Sequence, residues 1–330
     1  MTEFAAKVSK PFHVLITSLS KKAPLVREVR KALKRISENG KIVGGDSNPQ
    51  CIGRYFVDEF WRMPKLENLT IKEFIDFCLE KQITIVIPSR DGDLLYFAEN
   101  CAELECNGIH AMISSPHGVK VCMDKLRFYE ELRQYPDIPV IPTAENISKI
   151  KSRSYVVKER FGAGSENIAL NIKKEDAETH AKSLKNPVFQ PVIYGKEFSV
   201  DLYILRDGNP KGAVTRSRDL IKNGESQVTT TVRKPALEKA CISLASAVDL
   251  RGHLVFQAIE DEDGRYHIVE CNCRFGGAST LSIAVGLDSF YWFILESRGD
   301  DLSRIPFQRS EKDLRQIRFA QDMIIDAVDF

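Results

Sequence analysis

The chain has 330 residues, more than one typical domain and enough for two or three, each burying its own core. Its 47 basic and 46 acidic residues give a formal charge of +1, which excludes a general electrostatic attraction to nucleic acid or to a membrane surface, so any anion site has to be local. The eight cysteines include no C-x-x-C pair and no histidine partners at zinc spacing, so structural zinc is not expected.

The first twenty residues carry charges at Glu3, Lys7 and Lys10 and only a short apolar run at 14–16, so neither a signal peptide nor a membrane span is expected, and a cytoplasmic location is. Residues 12–17 read as a short buried strand and residues 24–37 as a helix with a proline near its start and Asn39-Gly40 after its end. A strand over 41–46 closes a β-α-β unit. Residues 71–81 place Ile71, Phe74, Ile75, Cys78 and Leu79 on one helical face, and 84–88 reads as a buried parallel strand. The pattern predicts a doubly wound α/β domain, whose strand ends are where ligands sit. Asp46 stands where dinucleotide folds carry a ribose-binding acid, but the loop from Thr17 to Lys22 has no G-x-G-x-x-G, which disfavours a nicotinamide cofactor. The loop Ser89-Arg-Asp91-Gly-Asp93 reads equally as a substrate-facing loop or as a solvated helix start.

Residues 114–137 read as helical, with Asp124-Lys125 opening an apolar-periodic run, and Pro136, Pro139 and Pro142 end it. Strands follow at 155–158, 188–193, 197–204, 212–215 and 254–259, with helices over 174–184 and 235–248, so the second half is α+β. Lys158 ends an apolar strand just before Phe161-Gly162-Ala-Gly164-Ser165-Glu166. A glycine-rich turn lets backbone N–H groups close on phosphate oxygens while the lysine adds a point charge, yet the Walker A order is absent and the turn alone is also an ordinary hairpin.

In residues 266–277, strand alternation projects Glu270, Asn272 and Arg274 together and turns Cys271 and Cys273 to the opposite face. Carboxylate and amide oxygens suit Mg²⁺, and a guanidinium suits phosphate or carboxylate. A polar edge strand is the plainer reading of the same pattern. The two cysteines read as small buried hydrophobes. Arg216 and Arg218 share a strand face and read as a carboxylate clamp, with a solvated basic edge as the alternative.

Taken in order, Asp124-Lys125, Val157-Lys158 with Phe161-Gly-Ala-Gly-Ser, Phe189-Gln190 with Gly195-Lys-Glu197-Phe-Ser-Val-Asp201, Gln257, and Glu270-Cys-Asn272-Cys-Arg274-Phe-Gly-Gly resemble the ATP-grasp superfamily, nearest its carbamoyl-phosphate-synthase-type and carboxylate–amine ligases. Asp46-Ser-Asn and Tyr55-Phe-Val-Asp58 resemble the preceding domain of those enzymes. The resemblance implies a Rossmann-like pre-ATP-grasp domain over 1–112 and a two-lobed ATP-grasp domain over 113–330, with a lid over about 150–190 and a catalytic lobe over 191–330. It implies ATP, with Mg²⁺ or Mn²⁺, as what the site binds. Lys125, Lys158, Gly162, Gly164 and Ser165 would hold phosphates, Gln190 and Ile193 the adenine hinge, and Glu197 the ribose. Gln257, Glu270 and Asn272 would hold metal, and Arg274, Lys158, Arg216 and Arg218 would act on the reacting groups. Pro191 departs from the usual hinge because it offers no N–H, which leaves a neighbour such as Ile193 as donor. The implied activity is phosphorylation of a small carboxylate to an acyl phosphate and its capture by an amine, releasing ADP and phosphate. The alternatives are a carbamoyl-phosphate-synthase-like reaction on bicarbonate or carbamate, and a non-catalytic ATP-binding subunit. A homodimer and small-molecule substrates are the expected partners. Specificity is expected from Arg216, Arg218, residues 224–231 and Ala278-Ser279-Thr280.

Overall fold

A computed structural model describes residues 12–162 and 167–326. The chain begins as a parallel α/β unit: β1 (His13–Thr17), α1 (Ala23–Lys34), β2 (Ile42–Asp46), β3 (Glu59–Arg62), α2 (Ile71–Glu80), β4 (Ile83–Ile87), α3 (Asp91–Glu99), α4 (Cys101–Cys106) and β5 (His110–Ala111). The strands order as β3-β2-β1-β4-β5, all parallel. β1 and β4 are continuous apolar runs because helices cover both sheet faces. α2 starts where Thr70 and Glu73 form a reciprocal capping box.

Two helices follow, α5 (Pro116–Met123) and α6 (Lys125–Leu132). The helical stretch expected over 114–137 is divided because Asp124 adopts an extended backbone and turns its carboxylate onto the N–H groups of Leu126 and Arg127, both at 3.1 Å. An antiparallel three-stranded sheet then comprises β6 (Tyr155–Glu159), β7 (Ala169–Ile172) and β8 (Pro187–Pro191), in the order β7-β6-β8, with α7 (Lys174–Ala181) against it. This small layer has its own core of Ala144, Ile147, Ile150, Tyr155, Val157, Ala177 and Phe189.

The remaining chain forms β9 (Gly195–Ile204), β10 (Pro210–Lys222), β11 (Glu225–Val232), α8 (Pro235–Ala247), β12 (Gly252–Asp261), β13 (Tyr266–Asn272), α9 (Thr280–Ala284), α10 (Ser289–Ser297) and β14 (Arg315–Ile317). Its antiparallel sheet runs β13-β12-β9-β10-β11-β14. One face is apolar, carrying Phe198, Val200, Leu202, Phe256, Ile268, Cys271 and Cys273 into the main core, which continues through Val119 and Val121 of α5 to Leu15 and Val43 of the first sheet and Phe74 of α2. The molecule is thus a mixed α/β protein in which a parallel N-terminal unit is followed by antiparallel sheets. No helix among the described residues is long and apolar enough to cross a membrane.

Candidate active site

The other face of the six-stranded sheet is polar. Period-two alternation places Glu197, Ser199 and Asp201 of β9, Arg216 and Arg218 of β10, His253 and Gln257 of β12, and Glu270 and Asn272 of β13 on it. Gln257 stands in register opposite Glu270, and Val255 opposite Asn272. The face has two depths. At its rim lie Glu197, Arg218, Gln257, Glu270 and Asn272, and in its interior lie Asp201, Arg216 and His253.

Two lysines reach the rim from other elements. Lys158, near the end of β6, is buried at 5 % exposure, and burial lowers its amine to about 8, with Lys125 pushing the same way and Glu270 opposing. Lys125 opens α6; burial lowers its amine too, again opposed chiefly by Glu270. The Lys125 Nζ donates to Gly162 O at 2.9 Å, and Arg160 clasps Asp124 through Nε at 2.7 Å and Nη2 at 2.6 Å. The Asp124-Lys125 pair therefore anchors the near end of the glycine-rich segment. Gly162 has φ +112 with open space around a would-be Cβ, a conformation only glycine takes without strain. Gly164 and Ser165 lie outside the described residues.

Arg274 follows β13. Its Nη2 donates to Asn272 Oδ1 at 3.2 Å and to Asp91 Oδ2 at 2.6 Å. Asp91 opens α3, so residues 91–93 are a helix start, and the Asp91 carboxylate also faces Arg274. Lys22, from the loop after β1, sits beside it. Its Nζ donates to Ser18 O at 3.0 Å and to Ser89 Oγ at 2.9 Å, and burial first, then Arg274, lowers it to about 8. The pairing of Asp91 with Arg274, 183 positions away, and the place of Lys22 beside it are not legible in sequence, because no local pattern joins the first sheet to β13. The one signal was their place at strand C-terminal ends. Asp46 has a structural task instead, accepting from Ser20 N at 2.8 Å and Asn48 N at 2.9 Å.

Two assignments change. Arg216 is not half of a clamp. Its guanidinium is 2 % exposed and paired with Asp201, whose carboxylate also accepts from Ser279 and Ser282 and lies 3.3 Å from His253. Burial works against the Asp201 charge, but Arg216 and His253 outweigh it and hold the carboxyl far below its usual range. Ser279 is thereby a buried partner of Asp201 rather than a specificity residue. Gln257 shares the face of Glu270, but its Oε1 accepts from Arg218 Nη1 at 2.6 Å, so the guanidinium takes the oxygen that a cation would use. Arg218 also donates from Nη2 to Gly224 O at 2.8 Å, and burial lowers its pKa. Its Nε has no hydrogen-bond partner and lies 3.5 Å from Glu197 Oε2. A cleft of about 600 Å³ opens at this end of the sheet, lined from the opposite face by Lys196, Phe198, Ser217, Lys234 and Glu260 together with Glu197 and Arg218.

Near the expected hinge, Gln190 is buried and turned away, donating to Thr143 Oγ1 at 2.8 Å, while Val192 N bonds Ser154 O at 3.2 Å. Ile193 is the next residue along, half-buried, and follows the end of β8.

The Glu270 carboxylate fits magnesium, which characteristically takes one or two carboxylates and completes its shell with phosphates and water, while Asn272 Oδ1, like Gln257 Oε1, accepts from a guanidinium that a cation would have to displace. Glu270 Oε1 is held at 3.2 Å by Asn272 Nδ2, which keeps the two side chains together.

A parallel α/β unit, a small antiparallel layer and a large sheet whose polar rim meets two lysines have the fold of ATP-grasp proteins. Residues 183–319 match the family described as ATP-grasp in the biosynthetic pathway with Ter operon, and residues 14–112 match the PylC-like N-terminal domain. The region 183–319 is thus of ATP-grasp type and the region 14–112 of PylC-like N-terminal type. Among solved structures it is similar to the biotin carboxylase domain dimer of Hydrogenobacter thermophilus 2-oxoglutarate carboxylase in complex with MgADP, ADP and bicarbonate (16% identity, 94% of this chain and 75% of that one, TM-score 0.73). It is also similar to Staphylococcus aureus N5-carboxyaminoimidazole synthetase complexed with ADP (16%, 89% and 79%, 0.69) and to the L-amino acid ligase of Bacillus licheniformis (16%, 87% and 74%, 0.65). No curated protein sequence matches the chain.

Proposed function

We propose that this protein is an ATP- and Mg²⁺-dependent ligase that phosphorylates a small carboxylate and passes the acyl group to an amine, releasing ADP and phosphate. The observation that carries the reading is the gathering of Lys125, Lys158 and Arg218 about the Glu270 carboxylate, with Arg274 held against Asn272. Two amines and two guanidiniums so gathered suit the charge of a polyphosphate. Phosphoryl transfer needs little from a protein beyond such positioning and charge.

In this reading Lys125 and Lys158 bind the nucleotide phosphates, Glu197 takes the ribose hydroxyls, and the backbone around Ile193 meets adenine. Glu270 and Asn272 would hold Mg²⁺, which neutralises charge on the transferring group. Arg274 orients the acid substrate's oxygen toward the γ-phosphoryl. That oxygen attacks phosphorus, the bond to the β-phosphate oxygen breaks, and ADP leaves. The amine then attacks the acyl carbon of the acyl phosphate, phosphate departs, and the amine's proton passes to solvent. Closure of the segment beginning at Gly162 keeps water away from the acyl phosphate. The similarity to an L-amino acid ligase supports an organic acid, and the similarity to bicarbonate-binding carboxylases supports the phosphorylation half of the scheme.

The test is phosphate release from ATP and Mg²⁺ with pools of amino acids and other acids, with products read by mass spectrometry. Release that needs both an acid and an amine is the expected result. Turnover with bicarbonate alone would replace the organic acid by bicarbonate, and tight ATP binding without turnover across the panel would reduce the protein to a nucleotide-binding subunit.

A further inference from the structure

Behind the strand that carries Glu270 and Asn272, three sulfur atoms meet. Cys271 and Cys273 point to the buried face of β13, each 3 % exposed, and Cys122 reaches them from the last turn of α5. The three Sγ atoms all lie within 4.8 Å of one another, and the thiols are within hydrogen-bonding reach. No carboxylate or imidazole belongs to the group. Sequence spacing could not reveal it, since one ligand comes from a helix about 150 residues before the other two.

We propose that Cys122, Cys271 and Cys273 form a binding site for a thiophilic d¹⁰ cation, Zn²⁺ or Cu⁺. An all-sulfur donor set selects soft or borderline cations and rejects Mg²⁺, which demands oxygen. Zn–S bonds of about 2.3 Å in a tetrahedron separate ligand sulfurs by roughly 3.8 Å, so the observed cluster needs about 1 Å of contraction to close on an ion. Three thiolates satisfy a trigonal Cu⁺, or leave one position on Zn²⁺ for water. The thiol protons leave to solvent as the bonds form. Cys122 is partly buried and the least enclosed of the three, so the cation would enter past it, whereas Cys271 and Cys273 lie in the core that also holds Val119, Val121 and Ile268. The site joins α5 to β13. Cys122 is three residues before Lys125 and Cys271 directly follows Glu270, so a bound ion would pin two elements of the nucleotide site from behind, without touching that site.

The experiment uses the full chain, reduced and stripped of metal, incubated with Zn²⁺ or with Cu⁺ under anaerobic conditions in excess Mg²⁺, then desalted. One equivalent of metal retained, with X-ray absorption showing three sulfurs, is the expected result. Three sulfurs alone identify Cu⁺, and three with one light atom identify Zn²⁺. Cys122→Ser, at the least enclosed of the three positions, where folding is least at risk, should lower retention at least tenfold. A double Cys101→Ser, Cys106→Ser variant, remote from the cluster, should retain the wild-type equivalent. A rise in Tm on metal loading in wild type, absent in Cys122→Ser, should accompany binding. If neither metal is retained, or if Cys122→Ser retains as much as wild type, the site does not exist.

Discussion

The Arg274 guanidinium donates to the Asp91 carboxylate at 2.6 Å across the junction between the N-terminal unit and the large sheet. Both side chains are about one-fifth exposed, so the pair is accessible to a substrate yet partly shielded from solvent. One donor fork thereby ties two separately folded layers, and its remaining N–H groups are aimed by Asn272 and the Phe275 carbonyl.

Asp91→Asn keeps the shape of this contact and removes its charge. Hydrogen bonds to charged groups contribute about 1.5–3 kcal/mol, so turnover should fall roughly 10- to 100-fold if Arg274 must be aimed during phosphoryl transfer. The KM for ATP should shift far less than kcat, because Asp91 bonds Arg274 directly and acts on Lys125 only as a more distant charge. Steady-state phosphate release decides it: an unchanged kcat would mean that the pair only joins layers.

Glu270→Gln removes the anion shared by Lys125, Lys158 and Arg218. Phosphate release should drop by about 10²–10³, the range seen when one preorganised electrostatic contact is deleted. The variant should also need more Mg²⁺ for half-maximal activity, a shift read directly from a magnesium titration at saturating ATP. Equal activity and equal magnesium demand would remove Glu270 from the metal role.

Much of this rim was legible in sequence, for a definite reason. Side-chain alternation on a strand is obligatory, so Glu270 and Asn272 on one face and Cys271 and Cys273 on the other could be read without any partner strand. Depth is not encoded by alternation. Arg216 and Arg218 share a face, yet β10 runs from the interior to the rim, so Arg216 meets Asp201 inside the protein while Arg218 meets Gln257 at the cleft. Contacts between layers are less legible still. Asp91 and Lys22 required the fold to bring the first sheet's strand ends against Arg274, and Cys122 required α5 to pack on β13.

Lys158 gives the site a pH signature. Its folded pKa is depressed to about 8 from an unfolded 10.5, so between those values the unfolded chain binds more protons, and ligand-free stability from this group should rise with pH across that window. Nucleotide affinity should move oppositely. Phosphates favour the charged amine, so ATP binding at pH 8 and above should take up a proton, and the apparent Kd should weaken by up to tenfold per pH unit above about 8. Calorimetry in buffers of different ionisation enthalpy measures that uptake. Lys158→Arg, charged throughout the range, should abolish it, and uptake that persists in this variant would locate the proton elsewhere, Lys22 being the other amine lowered to about 8.

Arg216→Met tests the reassignment of this residue from substrate clamp to buried support. Asp201 is fully buried, and the substitution leaves its charge with only His253, Ser279 and Ser282. Breaking a buried pair by removing one partner costs about 3–5 kcal/mol, so Tm should fall by roughly 5–15 °C. A double Asp201→Leu, Arg216→Met variant, which removes both charges, should recover a large part of that loss, as expected when the cost lies in an unpaired charge rather than in lost attraction. Substrate KM in the surviving folded fraction should be unchanged, since the Arg216 guanidinium does not reach the cleft. A raised KM for the acid with an unaltered Tm would restore the clamp, because only direct contact with substrate produces that combination.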